Sequence, residues 1–269
     1  VYTTTMESIM PDGKALQMGT SHFLGQNFSK PFEVKFADKD NVEHFAWQTS
    51  WGVSWRLIGA MIMVHGDDKG LVLPPKVAPM QVVIVPIFRN DEGKETVLPK
   101  VEEIRNELES KDIRVHVDDR EGLSPGYKFN DWEMKGVPIR IEIGPKDIEK
   151  QSMVVAKRFN LEKISLRFTE IEKISIILDD IQIEMLKKAK EQAKNNTIDI
   201  SDYSEFKSKM DKGGFFNSPW CGKLECEEKI KEETGAEIRV IPFDGNNTNK
   251  KCIYCQETSV SIPIFARGY

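Results

Sequence analysis

At 269 residues the chain has room for two or three domains. Apolar residues make up 39% and charged residues 30%, which excludes a disordered or collagen-like chain, and no apolar run approaches the roughly 18 residues of a membrane-spanning helix. A net charge of −5 and a pI near 5.6 argue mildly against a nucleic-acid partner in bulk, although a local basic patch can sit on an acidic protein. Val1–Ile9 carry no basic stretch and no small-residue cleavage site, so the expected location is cytoplasmic, with no membrane attachment. The first methionine is Met6, and the opening residues read as the interior of a longer polypeptide whose upstream part is absent.

Short strand-like runs broken by turns fill residues 1–78. Pro11-Asp12-Gly13 is a turn signal, and strands are expected over Phe32–Phe36 and Phe45–Ser50. Arg56 to His65 turns helical through Leu57, Ile58, Met61, Ile62 and Val64, and the glycines of the 66–70 stretch end it. Pro74-Pro75 and Ala78-Pro79 form a stiff connector, which places a domain boundary there. Beyond it, strands are expected at Val82–Pro86, Ile113–Val117, Val137–Ile143, Val154–Lys157 and Ile164–Phe168. Helices are expected over Val97–Ser110 and from Pro125 to about Lys135, the second opened by Ser124 as N-cap with proline in the first helical position. This alternation predicts an α/β layer on a mostly parallel or mixed sheet. A long helix capped by Thr169-Glu170 runs to about Ala193, and Asn195–Thr197 breaks it. A short helix over Asp202–Lys212 ends at Gly213-Gly214, then come a helix from about Glu225 to Glu233 and a strand at Glu237–Ile241. There is no internal repeat.

All four cysteines lie in the last fifth of the chain, as Cys221 with Cys226 and Cys252 with Cys255. Two close pairs separated by about 25 residues have the spacing of a four-thiolate zinc site. Four protein ligands leave no position for water, so such a zinc would be structural. Two disulfides or free core thiols are the alternative, and disulfides are disfavoured in a cytosolic chain. The first pair has four intervening residues, where two are usual.

Thr49–Arg56 sits at a strand-to-helix junction. Gly52 would let a flat ligand ring approach the backbone, and Arg56, in the first helical turn, can present its planar fork to phosphate oxygens. Spacing alone leaves a neighbouring carboxylate as the more ordinary partner of Arg56. Gln17, Thr20, Ser21 and His22 cluster after a strand as a hydrogen-bonding surface, although a buried turn with satisfied side chains is the more ordinary reading of such residues.

Longer strings are more specific. Gly19–Phe28 (GTSHFLGQNF) resembles a segment of the prolyl-tRNA synthetases. Ser50–Gly59, running on through His65–Pro75, resembles that family's form of class II motif 3. Lys128–Glu133 with Lys135–Arg140 resembles its anticodon-binding domain, and four cysteines with a terminal Tyr269 resemble the C-terminal domain of its archaeal/eukaryotic type. The resemblance covers the whole chain. It implies a multidomain α/β and α+β fold: the end of a class II antiparallel-sheet catalytic domain over residues 1–78, an α/β anticodon-binding domain over 79–185, and a small α+β zinc-binding domain over 186–269.

The resemblance also implies a reaction, in which proline is activated with ATP to prolyl-adenylate and passed to the 3′ end of tRNA(Pro). Carried over by position, Arg56 is the catalytic arginine on the ATP γ-phosphate. Gln17, Thr20 and Ser54 contact ATP, and His22, Ser50, Trp51 and Gly52 form the proline pocket. Lys128, Phe129, Glu133 and Arg140 face anticodon bases, with Trp132 in the core. The implied cofactors are ATP, Mg2+ and structural Zn2+ on Cys221, Cys226, Cys252 and Cys255. The implied partners are tRNA(Pro), proline and a second copy in a homodimer formed through the missing N-terminal part. The C-terminal carboxylate of Tyr269 is expected near the active site. Trp55 departs from the small residue the family usually has before the arginine, and class II motifs 1 and 2 are absent from this sequence. A non-catalytic RNA-binding descendant of a synthetase is the competing reading.

Overall fold

In the computed structural model, which describes residues 1–244 and 249–269, the chain forms two compact units. One comprises Val1–Met63 with Glu191–Tyr269, the other Val64–Lys190.

The first unit opens with a long antiparallel hairpin, β1 (Tyr2–Ile9) and β2 (Ala15–Gly25), reversed at the Pro-Asp-Gly turn. Gly13 in that turn has φ +79°, and a Cβ on it would lie 2.8 Å from the Cα of Gly213, so the two chain segments touch where neither carries a side chain. A small hairpin follows, β3 (Lys35–Ala37) with β4 (Glu43–Phe45). The strand expected over Phe32–Phe36 starts late because Phe32 N–H donates to Phe28 O and Glu33 takes φ +54°, closing a turn. The strand expected over Phe45–Ser50 is split, since Ala46 N–H donates to Val34 O and leaves the ladder. The chain then enters β5 (Gln48–Gly52), which pairs antiparallel with the free edge of β2 and gives the order β1-β2-β5. Helix α1 (Arg56–His65) matches its predicted limits.

The second unit is built on a five-stranded mixed sheet of order β10-β9-β8-β6-β7. In chain order its elements are β6 (Val82–Pro86), α2 (Asp91–Glu109), β7 (Val115–Val117), α3 (Pro125–Met134), β8 (Ile139–Ile143), α4 (Pro145–Glu149), β9 (Ser152–Lys157), β10 (Lys163–Arg167) and α5 (Lys173–Asn195), whose last turns pass out of the unit. Strands β7, β6 and β8 run parallel, and β9 and β10 close the sheet antiparallel. Every residue of β6 is buried, as a central strand covered on both faces requires. Val97, Val101, Ile104 and Leu108 of α2 and Ile174, Leu178, Ile181 and Met185 of α5 recur at helical spacing in one core with Val82, Ile84 and Ile141. Val83 and Val85 form a separate core with Trp132 and Val137.

Helix α2 begins six residues before its expected start, because Asn90 Oδ1 accepts the Gly93 N–H at 2.9 Å and Asp91 and Glu92 suit the positive end of the helix; Pro99 therefore lies inside it. Ser124 caps α3 as predicted. Thr169-Glu170 does not cap α5. These residues form a 3-10 turn in which Glu170 accepts the Arg167 N–H at 3.0 Å.

The stretch after α1 is laid along the α3–β8 turn, with Leu71 N–H on Met134 O and Leu73 N–H on Gly136 O. Gly136 has φ +73°, and a Cβ there would lie 2.6 Å from the Leu71 carbonyl carbon. Gly136→Ala is expected to destabilise this unit by about 2 kcal/mol or more, from the left-handed backbone plus the clash. Urea unfolding checks it, and an unchanged midpoint would mean that the 71–73 stretch is free to shift.

The rest of the first unit holds β11 (Thr197–Asp199), α6 (Tyr203–Met210), β12 (Phe215–Asn217), α7 (Leu224–Thr234), β13 (Glu237–Val240) and β14 (Ile264–Ala266), with strand order β11-β12-β14-β13. Phe206 meets Phe216 and Phe265 edge-to-face at 5.7 and 5.6 Å in a core shared with Ile230 and Ile253. The C-terminus packs on the first hairpin. Ala15 N–H donates to Arg267 O at 2.7 Å, and the Tyr269 hydroxyl donates to Asp12 Oδ2 at 2.7 Å. Arg239 pairs with the nearly buried Glu7 at 3.0 Å. Among the described residues no helix is long and apolar enough to cross a membrane.

Candidate functional site

The pairing of β2 with β5 sets Thr20 opposite Gly52 and His22 opposite Ser50, so these four residues share one face. Four residues after Gly52 the chain enters α1, whose first residue is Arg56. Its Nη1 donates to Gln17 O at 3.4 Å, and its N–H donates to Ser54 Oγ at 3.3 Å. A cavity of about 340 Å³ results, lined by Gln17, Thr20, His22, Ser50, Ser54 and Arg56, with Trp51 and Gly52 also bordering it. The space above Gly52 is open, since a Cβ there would meet nothing within 4 Å. Arg56 is exposed and has no carboxylate partner among the described residues, so its positive fork at a helix start is free for an anion. His22 Nδ1 shares a 2.8 Å hydrogen bond with the Thr3 hydroxyl, which orients the ring. Trp51 pairs with Ser21 and is 80% exposed, and Trp55 is 85% exposed.

The second unit carries a different cavity, of about 160 Å³, whose lining includes Lys69, Glu133, Arg140, Ala156, Lys157 and Lys163. Arg140 on β8 faces Ala156 on β9, and Ala156 faces Lys163 on β10. Two cations thus flank a small residue in one row across three strands. Glu142 accepts from Arg140 at 2.8 Å and from Lys163 at 3.0 Å, which holds both heads in place. The Arg140 guanidinium lies 4.3 Å from the centre of the Phe129 ring. The Lys69 ammonium sits 2.8 Å from Glu133 Oε1 as an ion contact. Phe129, Glu133 and Arg140 therefore come together, and Lys128 does not join them. Lys128 is buried, donates to Asp118 O at 2.9 Å and lines a separate cleft with Arg89 and Arg120. Trp132 is a core residue, as expected, with its Nε1–H on Asp118 Oδ2 at 2.7 Å. The sequence reading missed Lys163 and Lys157, which join Arg140 only across strands, and Lys69, which comes from the turn after α1.

The four cysteines form one cluster. Their Sγ atoms all lie within 4.8 Å of one another, and Cys221 Sγ is 3.6 Å from those of Cys226 and Cys255. None is in a disulfide. Four sulfurs around a zinc at about 2.3 Å would be about 3.8 Å apart, so the set fits a tetrahedral ion. Burial pushes the Cys221 and Cys226 thiols up. Cys252 lies below its usual range despite burial, because backbone N–H groups of Cys255 and Tyr254 stabilise its thiolate. Lys223 pairs with Glu257 at 2.6 Å and ties the two cysteine loops together.

Known proteins place these features. Residues 81–176 match the family model "Anticodon binding domain", and residues 203–269 match "Prolyl-tRNA synthetase, C-terminal". The chain is 58% identical to a proline–tRNA ligase of Cenarchaeum symbiosum (strain A), over 100% of this chain and 56% of that protein. It is 49% identical to a proline–tRNA ligase of Porphyromonas gingivalis (strain ATCC 33277), over 100% of this chain and 55% of that protein. The chain belongs to the prolyl-tRNA synthetase family. It is also 48% identical to "Proline–tRNA ligase 2" of Clostridioides difficile (strain 630), over 99% of this chain and 55% of that protein. The chain thus spans about half the length of the curated relatives it matches, corresponding to the C-terminal part of the synthetase.

Proposed function

We propose that this chain is the C-terminal part of a proline–tRNA ligase, supplying part of the aminoacyl-adenylate site, the anticodon grip and a structural zinc domain. The observation that carries this reading is the single cavity shared by Gln17, Thr20, His22, Ser50 and Arg56. In it Arg56 holds the terminal phosphate of ATP while Gln17, Thr20 and Ser54 bind the rest of the nucleotide. His22, Ser50, Trp51 and Gly52 enclose the small proline ring, where shape selects. Proline's carboxylate attacks the α-phosphate, pyrophosphate leaves, and the prolyl group passes to the terminal ribose of tRNA(Pro). Catalysis on this reading is positioning and charge neutralisation, with Mg2+ sharing the phosphate charge. The remaining groups come from the upstream half of a polypeptide as long as the relatives, which would also form the homodimer.

The same reading divides the chain into a catalytic-domain end over 1–78, an anticodon domain over 79–185 and a zinc domain over 186–269. In the anticodon domain Arg140 and Glu133 read base edges while Phe129 stacks, and Lys128 supports them from the core. Cys221, Cys226, Cys252 and Cys255 would hold Zn2+, which supplies a rigid cross-link and no chemistry.

In the polypeptide of relatives' length, Arg56→Ala is expected to cut proline-dependent pyrophosphate exchange about 100-fold or more and to leave tRNA binding near normal. Arg140→Ala should do the reverse, weakening tRNA(Pro) binding about tenfold or more while exchange persists. Absence of exchange in the unsubstituted protein would leave an RNA-binding descendant as the function.

A further inference from the structure

Strand β2 carries one residue more than β1 where it passes the β2–β5 cavity. Met6 pairs with Gly19 and Glu7 with Gln17, so Met18 is the extra residue of a β-bulge. In a regular strand Gln17 and Thr20, three residues apart, would face opposite sides; the bulge puts them on the same side. Their partners across the ladder, Glu7 and Thr5, share that side.

The polar atoms there form a directed chain. Gln17 Nε2–H donates to Thr5 Oγ1 at 3.3 Å, and the Thr5 hydroxyl donates to Glu7 Oε1 at 3.2 Å. Gly19 O, 3.4 Å from the same hydroxyl, competes for its one proton, but the carboxylate is nearer and charged. Arg239 of β13 completes the chain: its Nε and Nη2 both donate to Glu7 Oε2, at 3.1 and 3.0 Å. Only 3% of the Glu7 side chain is exposed, so this counter-charge is what makes its burial tolerable. Gly268 packs on the guanidinium, where a Cβ would lie 2.6 Å from Nη1. At the other end of the chain, Gln17 O accepts from Arg56 Nη1 at 3.4 Å.

We propose that Arg239 is a positioning residue for the nucleotide site, on the reading above in which Gln17 and Arg56 bind ATP. Arg239 holds Glu7, Glu7 sets the direction of the Thr5 hydroxyl, and the hydroxyl fixes the Gln17 carboxamide beside Arg56. Without Arg239 the carboxylate turns toward water. The Thr5 proton then swings to Gly19 O, and the lone pairs that held Gln17 swing away with it. His22, Ser50, Trp51 and Gly52 take no part in these bonds, so the loss falls on ATP and spares proline.

Pyrophosphate exchange by a polypeptide of relatives' length, measured across ATP and proline concentrations, tests this. Arg239→Met is expected to raise KM for ATP about tenfold and to move KM for proline less than about twofold. An arginine that served stability alone would lower kcat through the active fraction and leave both KM values in place. Glu7→Gln combined with Arg239→Met strands no buried charge, so it keeps the fold and should show the same rise for ATP. Thr5→Val, which leaves the Arg239–Glu7 pair intact, should reproduce it as well. Thr5→Ser restores the hydroxyl and Arg239→Lys restores a cation, and both should return KM for ATP to within about threefold of the unsubstituted value. An ATP KM unmoved in the double variant or in Thr5→Val, or a proline KM that rises equally, would overturn the proposal. Arg56→Ala separates the two levels. If it abolishes exchange while those ATP KM values stay put, the positioning role alone falls; if exchange survives it, the nucleotide reading falls and the role of Arg239 with it.

Discussion

On the proposed zinc reading, removing the metal from the four-cysteine cluster, or replacing Cys252 by serine, is expected to lower the thermal midpoint of the protein by about 10 °C. The described residues between α7 and β14 carry little regular structure besides β13, and their tie to the core runs through Cys252 and Ile253, both fully buried. Ile253 packs with Phe206, Phe216 and Phe265, so the cysteine loop is also a wall of that core. Structural zinc contributes about 10–16 kcal/mol of apparent binding free energy in small domains, comparable with the entire stability of most proteins. Losing even about 4 kcal/mol of it would shift the midpoint of a domain this size by about 10 °C. Calorimetry with and without a chelator, followed by re-addition of zinc, measures the effect. Lys223→Ala is the control. It breaks only an exposed ion pair between the same loops, so a change under about 1 kcal/mol is expected. Freshly purified protein that carries no zinc and ignores the chelator would remove the zinc assignment.

What the sequence announced, and what it hid, follows from how local each signal is. Ser124-Pro125 placed the start of α3 because a cap and its proline are adjacent in the chain, and α1 matched because ten residues carry a helical period. Strands β11, β12 and β14 went unread: each has three residues, too few for a period, and exists only because distant partners complete its ladder. The residues of the β2–β5 cavity were legible because two short segments contain nearly all of them. The cationic row of Arg140, Ala156 and Lys163 was not, since its members are neighbours only through strand pairing. The placement of Lys128 was recoverable in principle. It stands four residues before Trp132 on α3, on the same helical face, so the burial expected for one applied to both.

That buried lysine sets the second large effect: Asp118→Ala is expected to destabilise the Val64–Lys190 unit by about 3–5 kcal/mol. Asp118 has no solvent exposure, and its carboxylate takes Arg120 Nη2–H and Trp132 Nε1–H, each at 2.7 Å, with the Lys128 ammonium 3.6 Å away. Truncation leaves the nearly buried ammonium of Lys128 without its counter-charge and the indole N–H without an acceptor. Adding Lys128→Met to the alanine variant should recover part of the loss, because it removes the stranded charge. The same network fixes the response to acid. Burial alone would raise the Asp118 carboxyl, but hydrogen bonds from Arg120 and Trp132 and the nearby Lys128 charge outweigh it and hold the group well below the usual carboxylate range. Asp67, held by Arg158, is lowered to about 2. A folded-state value below the unfolded one, about 3.9, means that the stabilisation is complete above that pH and drains away as pH falls through the folded value. Acid unfolding of this unit should therefore begin below about pH 4 and steepen toward about pH 2. In Asp118→Asn, which no longer titrates, the midpoint should start lower and fall less steeply over the same range. Thermal midpoints followed from neutral pH downward decide the matter, and parallel curves for the two proteins would show that Asp118 carries no acid sensitivity.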